Sequence, residues 1–483
     1  MTATLQAPAP SRGLAAATMG GFEVLAQSVA GIAPSAVMAT GPALVAIGAG
    51  ASVLYSYAAS TVILLMVGWC IARFTRRHGG DTLLSSITSA FGPGAGFIGA
   101  VGLAFGYALI AVGSIAGFTL YVEALLNAAG LPGATSLALT VALELGCVAL
   151  AAWAMVRGVQ LSTRVGVVLE LISITSILIV VVAVLAKFGL SSKPLHPKDL
   201  SLHGVTGGMV LAILGYVGFE SAACMGTEAK SPNRTIPRAV LGSVVIAAVL
   251  YLLSAYAQLV GFGDPAKITA SAAPLNDLAD SAGVHLLGYL IDIGAAASFF
   301  ACVTGSVNAA SRLVYSMGES RLLHRSMASA HHRRQTPHLA IVTLSVCCAA
   351  IAAGMSLSGI KTVNVFAYAG TIGTYGYMVA YILISLGVIV FLRRARAPIG
   401  AAVVIGGLAA LGMLYVLFKN IYPVPPSPYD VLPRIFLGLM VVTGLWYAVV
   451  RSRVGTPIDL TDRVAEEEDT DQASLAHAQA APH

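Results

Sequence analysis

Charge is what this sequence has least of. Asp, Glu, Lys and Arg make up 10% of its 483 residues, where a soluble protein carries about 25%. A large soluble core needs a polar skin. With 57% hydrophobic residues and a mean hydropathy of +0.85, too little is left to make one. Long polar stretches are missing too, so the chain is expected to hold no soluble catalytic domain. The ten-residue alternation of a membrane β-barrel is absent. The six cysteines, Cys70, Cys147, Cys224, Cys302, Cys347 and Cys348, lie in or beside apolar blocks. Their spacing fits neither a metal site nor a disulfide framework, so they read as small buried side chains. No GxxxxGK[ST] loop follows a soluble strand. Gly94, Gly96, Gly99, Gly102 and Gly106 read instead as close-packing positions on a helix. No cofactor, metal or nucleic-acid partner is expected.

What is present is a series of apolar blocks of roughly 20 residues, the length that crosses a bilayer as a helix. The head, MTATLQAPAPSRGLAAATMG, is expected to carry no cleaved signal, because the apolar block after it runs far beyond a signal-peptide core. Twelve spans are predicted, at 24–49, 53–75, 95–125, 135–156, 165–187, 207–229, 237–260, 284–316, 337–355, 363–391, 399–418 and 430–450. Twelve spans with the N-terminus inside put 18 Lys and Arg on the inner side and 7 on the outer. That asymmetry predicts a multi-pass cell-membrane protein with both termini cytoplasmic. The acidic, alanine-rich tail after Arg453 reads as disordered.

Two predicted spans carry what a helix in lipid avoids. The first contains SVAGIAPSA, Ser28 to Ala36, and the sixth GYVGFESAA, Gly215 to Ala223. Glycine lowers the cost of leaving helical angles, and Pro34 lacks an N–H. For a single glycine, close helix packing is the simpler explanation. The pair is more telling, because first and sixth are equivalent positions if five spans are repeated. Five is odd, so the second copy would be inverted. Interrupted helices at matched positions of inverted repeats mark a transporter binding site. Half-helix ends offer N–H groups to a carboxylate and C=O groups to an ammonium, which suits an amino-acid zwitterion.

GYVGFESAACMGTEAKSPNRTIPRA, Gly215 to Ala239, resembles the sixth span and exit of the amino acid–polyamine–organocation permeases. GIAPS resembles their unwound first span, and NAASRLVYSMGESRLLHR with RRQTP the end of their eighth span and the loop beyond. The resemblance covers Glu23 to Arg453. It implies an all-α polytopic fold with a 5+5 inverted-repeat (LeuT-like) core at 21–391 and discontinuous helices 1 and 6. Two additional helices at 392–453 would follow, with cytoplasmic segments at 1–20 and 454–483. It implies transport of amino acids or amines, by proton coupling or exchange. It places the substrate carboxylate around Gly31, Ile32, Ala33 and Ser35, and the ammonium around Ser28, Val29, Gly215, Tyr216 and Gly218. Phe219 matches the aromatic that closes over the substrate.

Charged residues near the core carry the remaining candidates. A carboxylate at membrane depth is costly and is a functional candidate. Glu220 supports substrate or gating, or else has a structural role such as accepting an N–H of the interrupted helix. Glu228 and Arg238 read as an interfacial charge network or as inner-gate control. Some relatives carry a coupling lysine in the fifth span; here Lys187 lies only at its far end. Glu170 in that span is the alternative coupling group, or a partner for Arg164 or a neighbouring helix. Glu123 and Glu144 are weaker buried candidates. Thr304 and Ser306 offer hydroxyls for a sodium site or bond back to their own helix. The expected partners are an amino acid or amine, protons in preference to sodium, and membrane lipid. A non-enzymatic, proton-coupled amino-acid importer is the leading function. A polyamine or basic amino-acid transporter or exchanger, and a transport-like receptor without flux, are the alternatives.

Overall fold

Lipid offers a backbone no hydrogen-bond partner, so long apolar runs must satisfy themselves as helices. The computed structural model describes residues 19–78, 83–157, 160–197, 199–271, 273–331, 336–425 and 427–454. Its α-helices are α1 (Gly21–Ile32), α2 (Pro34–Ala49), α3 (Val53–His78), α4 (Leu83–Phe91), α5 (Pro93–Ala128), α6 (Leu137–Arg157), α7 (Gln160–Phe188) and α8 (Leu202–Leu214). They continue as α9 (Pro232–Phe262), α10 (Pro265–Ala270), α11 (Pro274–Ser281), α12 (Leu286–Glu319), α13 (His338–Leu357), α14 (Thr362–Arg394), α15 (Gly400–Lys419) and α16 (Leu432–Val454).

Among the described residues, 11 segments are long and apolar enough to cross a membrane. The first runs from Gly21 to Arg76, 56 residues. It holds α1, α2 and α3, with Gly50 at φ 52° turning the chain between the last two. The predicted spans leave gaps between residues 75 and 95 and between 260 and 284, for which the sequence predicts no element. The structure has α4 in the first gap and α10 and α11 in the second. These helices are too short to stand out as apolar blocks. Asp264 starts α10 by accepting the Ala266 N–H at 2.9 Å, a side-chain N-cap.

The helices pack in pairs. α3 lies against α9, α6 against α13, α2 against α8, and α5 between α12 and α14. Glycine makes the closest crossings. A Cβ on Gly376 of α14 would lie 2.3 Å from the Gly102 carbonyl oxygen of α5. One turn on, a Cβ on Gly373 would lie 3.0 Å from the Gly106 oxygen. The expectation that span three packs closely through its glycines therefore holds for these two. α15 and α16 line the periphery, where Leu437, Val442 and Leu445 are exposed, as suits a face turned to lipid.

Candidate functional site: two interrupted helices and the cavity between them

α1 ends at Ile32 and α2 begins at Pro34. Ala33 between them is left-handed, at φ 51° and ψ 63°. That conformation costs a non-glycine residue roughly 1–2 kcal/mol. The surroundings hold it: the Ala33 N–H closes α1 on the Val29 carbonyl at 3.1 Å, and Pro34 opens α2 where its missing N–H is harmless. The second interruption follows α8. Residues 215–218 form a turn, with Gly218 at φ 102°. The chain then continues as a 3-10 segment, Phe219–Glu228. A 3-10 run seldom exceeds about 4 residues, and longer ones mark strain or a hinge.

The interruptions meet. A Cβ on Gly218 would lie 2.5 Å from the Gly31 oxygen, and one on Gly31 would lie 2.9 Å from the Gly218 oxygen. Only glycine fits at either place. Ser28 Oγ donates to the Phe219 carbonyl at 2.9 Å, and Ser221 Oγ to that of Gln27 at 3.3 Å. Each interrupted segment thus donates a side-chain hydrogen bond to a carbonyl of the other. α12 closes the third side: Cys302 Sγ donates to the Gly31 oxygen at 3.3 Å, and Gln27 Nε2 to the Gly305 oxygen at 3.4 Å.

Two carboxylates finish the interruptions from outside. Glu170 of α7 accepts the Ser35 N–H at 2.7 Å on one oxygen and the Ser35 hydroxyl at 3.1 Å on the other. It therefore caps the positive end of α2. Glu220 accepts the Tyr107 hydroxyl from α5 at 2.6 Å, the Tyr381 hydroxyl from α14 at 2.5 Å, and the Gly218 N–H at 3.2 Å. Both are buried. The tyrosines escaped the sequence reading. Their signal was a hydroxyl at membrane depth, which needs a partner; which partner, no spacing reveals.

A small cavity opens beside the two turns. Gly31, Ile32, Ala33, Gly215 and Val217 line its base, and no lining residue is charged. Val37 and Leu44 of α2, Ile110 of α5, Leu211 and Leu214 of α8, Phe299 of α12 and Phe366 of α14 form apolar walls. The Phe299 and Phe366 rings meet edge to face, 5.3 Å between centroids. Thr40 and Ser114 add hydroxyls, but that of Thr40 bonds back to the Ala36 carbonyl at 2.8 Å.

Of the sequence-predicted substrate residues, the cavity gathers Gly31, Ile32, Ala33 and Gly215. The rest stand behind it. Ser28, Val29 and Gly218 hold the turns through the bonds above, and Ser35 faces Glu170. Tyr216 bonds Thr61 at 2.8 Å and packs among Tyr57 and Tyr251. Phe219 is fully buried with its ring against Tyr381, 5.5 Å between centroids, and does not line the cavity.

Further out, the Thr304 hydroxyl turns back to the Ala301 carbonyl at 2.8 Å, and Ser306 sits 3.8 Å from Cys302 Sγ. Arg238 is exposed on α9. The Glu228 side chain lies outside the described residues, as does that of Arg164. Glu144 accepts from Ser356 at 2.7 Å, and Glu123 from Thr140; neither lines the cavity.

Fold and site define a class: a multi-pass inner-membrane protein built around two discontinuous helices, with a small cavity beside their interruptions. The family model described as amino acid permease matches residues 18–446, and the chain belongs to that family, within the amino acid–polyamine–organocation superfamily. Its members are secondary transporters of amino acids and related solutes, not enzymes. The chain is 26% identical over 422 residues to the branched-chain amino acid permease BcaP of Lactococcus lactis, covering 82% of this chain and 86% of that one. It is 25% identical over 264 residues to BcaP of Bacillus subtilis, 54% of each chain. It is 24% identical over 360 residues to cationic amino acid transporter 7, chloroplastic, of Arabidopsis thaliana, 69% of this chain and 60% of that one.

Proposed function

We propose that this permease imports neutral amino acids with apolar side chains by proton-coupled alternating access, and that the cavity at the two interruptions is its substrate site. The uncharged, largely aliphatic and aromatic lining carries the reading. A cationic substrate would want a carboxylate in the cavity. The candidate the sequence offers, Glu220, does not line the cavity and is occupied by two tyrosines and the Gly218 N–H. Two of the relatives above are named as branched-chain amino acid permeases. The polyamine or basic amino-acid reading keeps one support, the likeness to a protein named as a cationic amino acid transporter.

The proposed architecture is twelve spans in a ten-helix core of two inverted repeats at 21–391, with two peripheral spans at 392–453. Gly21–Arg76 counts as two crossings, α1 with α2 before the turn at Gly50 and α3 after it, each long enough for a hydrocarbon core of about 30 Å. In that numbering the observed helix pairs α3 with α9, α5 with α12 and α6 with α13 join second to seventh, third to eighth and fourth to ninth. Span i meeting span i+5 is what inverted repeats related by an in-plane axis produce. The Lys and Arg asymmetry supports cytoplasmic termini, including the segments at 1–20 and 454–483.

Within this reading Gly31, Ile32, Ala33 and Gly215 present backbone to the substrate. Ser28, Val29, Ser35, Tyr216, Gly218, Phe219 and Glu220 hold the turns that shape it. Glu170 is the coupling group. Protonation would take one carboxylate oxygen away from Ser35 and the charge away from the α2 N-terminus, loosening the element that must move. Protons are preferred to sodium on family membership; the Thr304 hydroxyl donates its hydrogen to the Ala301 carbonyl, which leaves its lone pairs open and does not decide between the two ions. Glu228 and Arg238 are candidates for charge contacts at the inner gate. Competition against radiolabelled leucine uptake by the twenty amino acids and putrescine tests the substrate class. Valine, isoleucine and methionine should compete, and lysine and putrescine should not; the reverse order would overturn it.

A further inference from the structure

α9 carries a buried polar stripe that the transport reading leaves unused. Tyr251, Ser254 and Gln258 are three and four residues apart, so they share one face of the helix. All three are fully buried. Each donates to a main-chain carbonyl on a neighbouring helix whose own ladder is broken there.

The broken places have identifiable causes. Pro42 lies inside α2 and has no N–H, so the Met38 carbonyl, four residues earlier, loses its usual donor. Ser254 Oγ reaches that oxygen at 2.7 Å and Gln258 Nε2 at 2.9 Å. Gln258 Nε2 also meets Ser254 Oγ at 3.1 Å. At the second interruption, the Phe219 N–H bonds to Tyr216 rather than to Gly215, so the Gly215 carbonyl is freed. Tyr251 OH takes it at 2.8 Å. Gly215 lines the cavity, and Met38 lies between the cavity-lining residues Val37 and Thr40.

One face of α9 therefore grips α2 at its proline and α8 at its turn, two neighbouring segments that both line the cavity. We propose that this stripe sets the spacing of the two cavity walls, and that Ser254 and Gln258 are positioning residues for the substrate. A buried carbonyl left unpaired costs about 1–3 kcal/mol, so the stripe also has a structural share. The two roles separate at Pro42. Replacing it with alanine returns an N–H to the Met38 oxygen from within α2 without restoring the link to α9. The inference rests on the cavity being the substrate site.

The test compares the wild type, Ser254→Ala/Gln258→Leu, and that double variant with Pro42→Ala added. In liposomes, the double variant should raise the KM for leucine at least tenfold while the maximal rate falls less than threefold. Its Tm should drop. Adding Pro42→Ala should recover Tm and leave KM high. An unchanged KM in the double variant, or a KM recovered together with Tm, would overturn the positioning role. A substrate-free readout keeps the inference testable if leucine is not carried. Spin labels at Ile47→Cys on α2 and Val249→Cys on α9, both exposed, should give one narrow distance in a background where Cys347→Ala removes the exposed native thiol. The distribution should broaden in the double variant and stay broad with Pro42→Ala. An unchanged distribution sinks the inference on its own. Failure of leucine uptake in the wild type bears on the substrate reading instead.

Discussion

At the scale of single residues, two buried carboxylates do different work because their neighbours differ. Glu170 holds the start of α2, through the Ser35 N–H and hydroxyl. Glu170→Gln keeps an oxygen for that cap but cannot carry a proton. It should abolish gradient-driven accumulation of leucine and leave exchange of preloaded leucine within about threefold of wild type. Full accumulation in that variant would remove Glu170 from coupling. Glu220 instead accepts three donors from three elements. Glu220→Gln turns one accepting oxygen into a donor and leaves a tyrosine hydroxyl or an N–H without its acceptor, at a cost of about 1–3 kcal/mol. Thermal unfolding in detergent should show a clear loss of Tm, with the order of competing amino acids unchanged. A variant of normal stability that newly favours or rejects lysine would return Glu220 to the substrate. The sequence marked both residues, because carboxylates in apolar spans are conspicuous. It could not tell a cap from a tether, since Ser35, Tyr107 and Tyr381 come from distant parts of the chain.

At the scale of elements, the interruptions were legible and their partners were not. Glycine and proline inside a span announce a departure from helical angles, and Ala33 and Gly218 are where the departures occur. Which face of α2 meets the cavity depends on how far the helix is rotated after Ala33. In the fold Val37 and Gly41 face the cavity while Ser35 faces Glu170, a partition the motif alone did not make. The ring of Phe219 lies against Tyr381 for the same reason: the turn at Gly218 re-aims everything after it. Helix contacts through glycine were half legible. The small residues were visible in the sequence, but the matching of Gly48 on α2 with Gly207 on α8 was not. A Cβ on Gly207 would lie 2.6 Å from the Gly48 oxygen, and one on Gly48 would lie 2.3 Å from that of Gly207. Gly207→Val must therefore push α8 off α2. It should lower Tm and cut leucine transport at least tenfold, whereas Gly242→Val, where nothing lies within 4 Å, should leave both nearly unchanged. Equal effects at the two positions would contradict the close crossing.

At the scale of the whole molecule, low charge and long apolar blocks made the membrane class legible, because lipid leaves few ways to satisfy a backbone. The short helices α4, α10 and α11 were not, since none is long enough to register against bilayer thickness. The mechanism joins the scales. Two helices are broken where they face a small apolar cavity, glycines bring the breaks into contact, and a carboxylate on a third helix holds one of the freed ends. The most direct test is accumulation of radiolabelled leucine by liposomes holding the purified protein, in sodium-free buffer, with and without an inward proton gradient. The account predicts accumulation that collapses when a protonophore removes the gradient. Folded protein that neither accumulates leucine nor exchanges it with a preloaded pool, with or without the gradient, would contradict it.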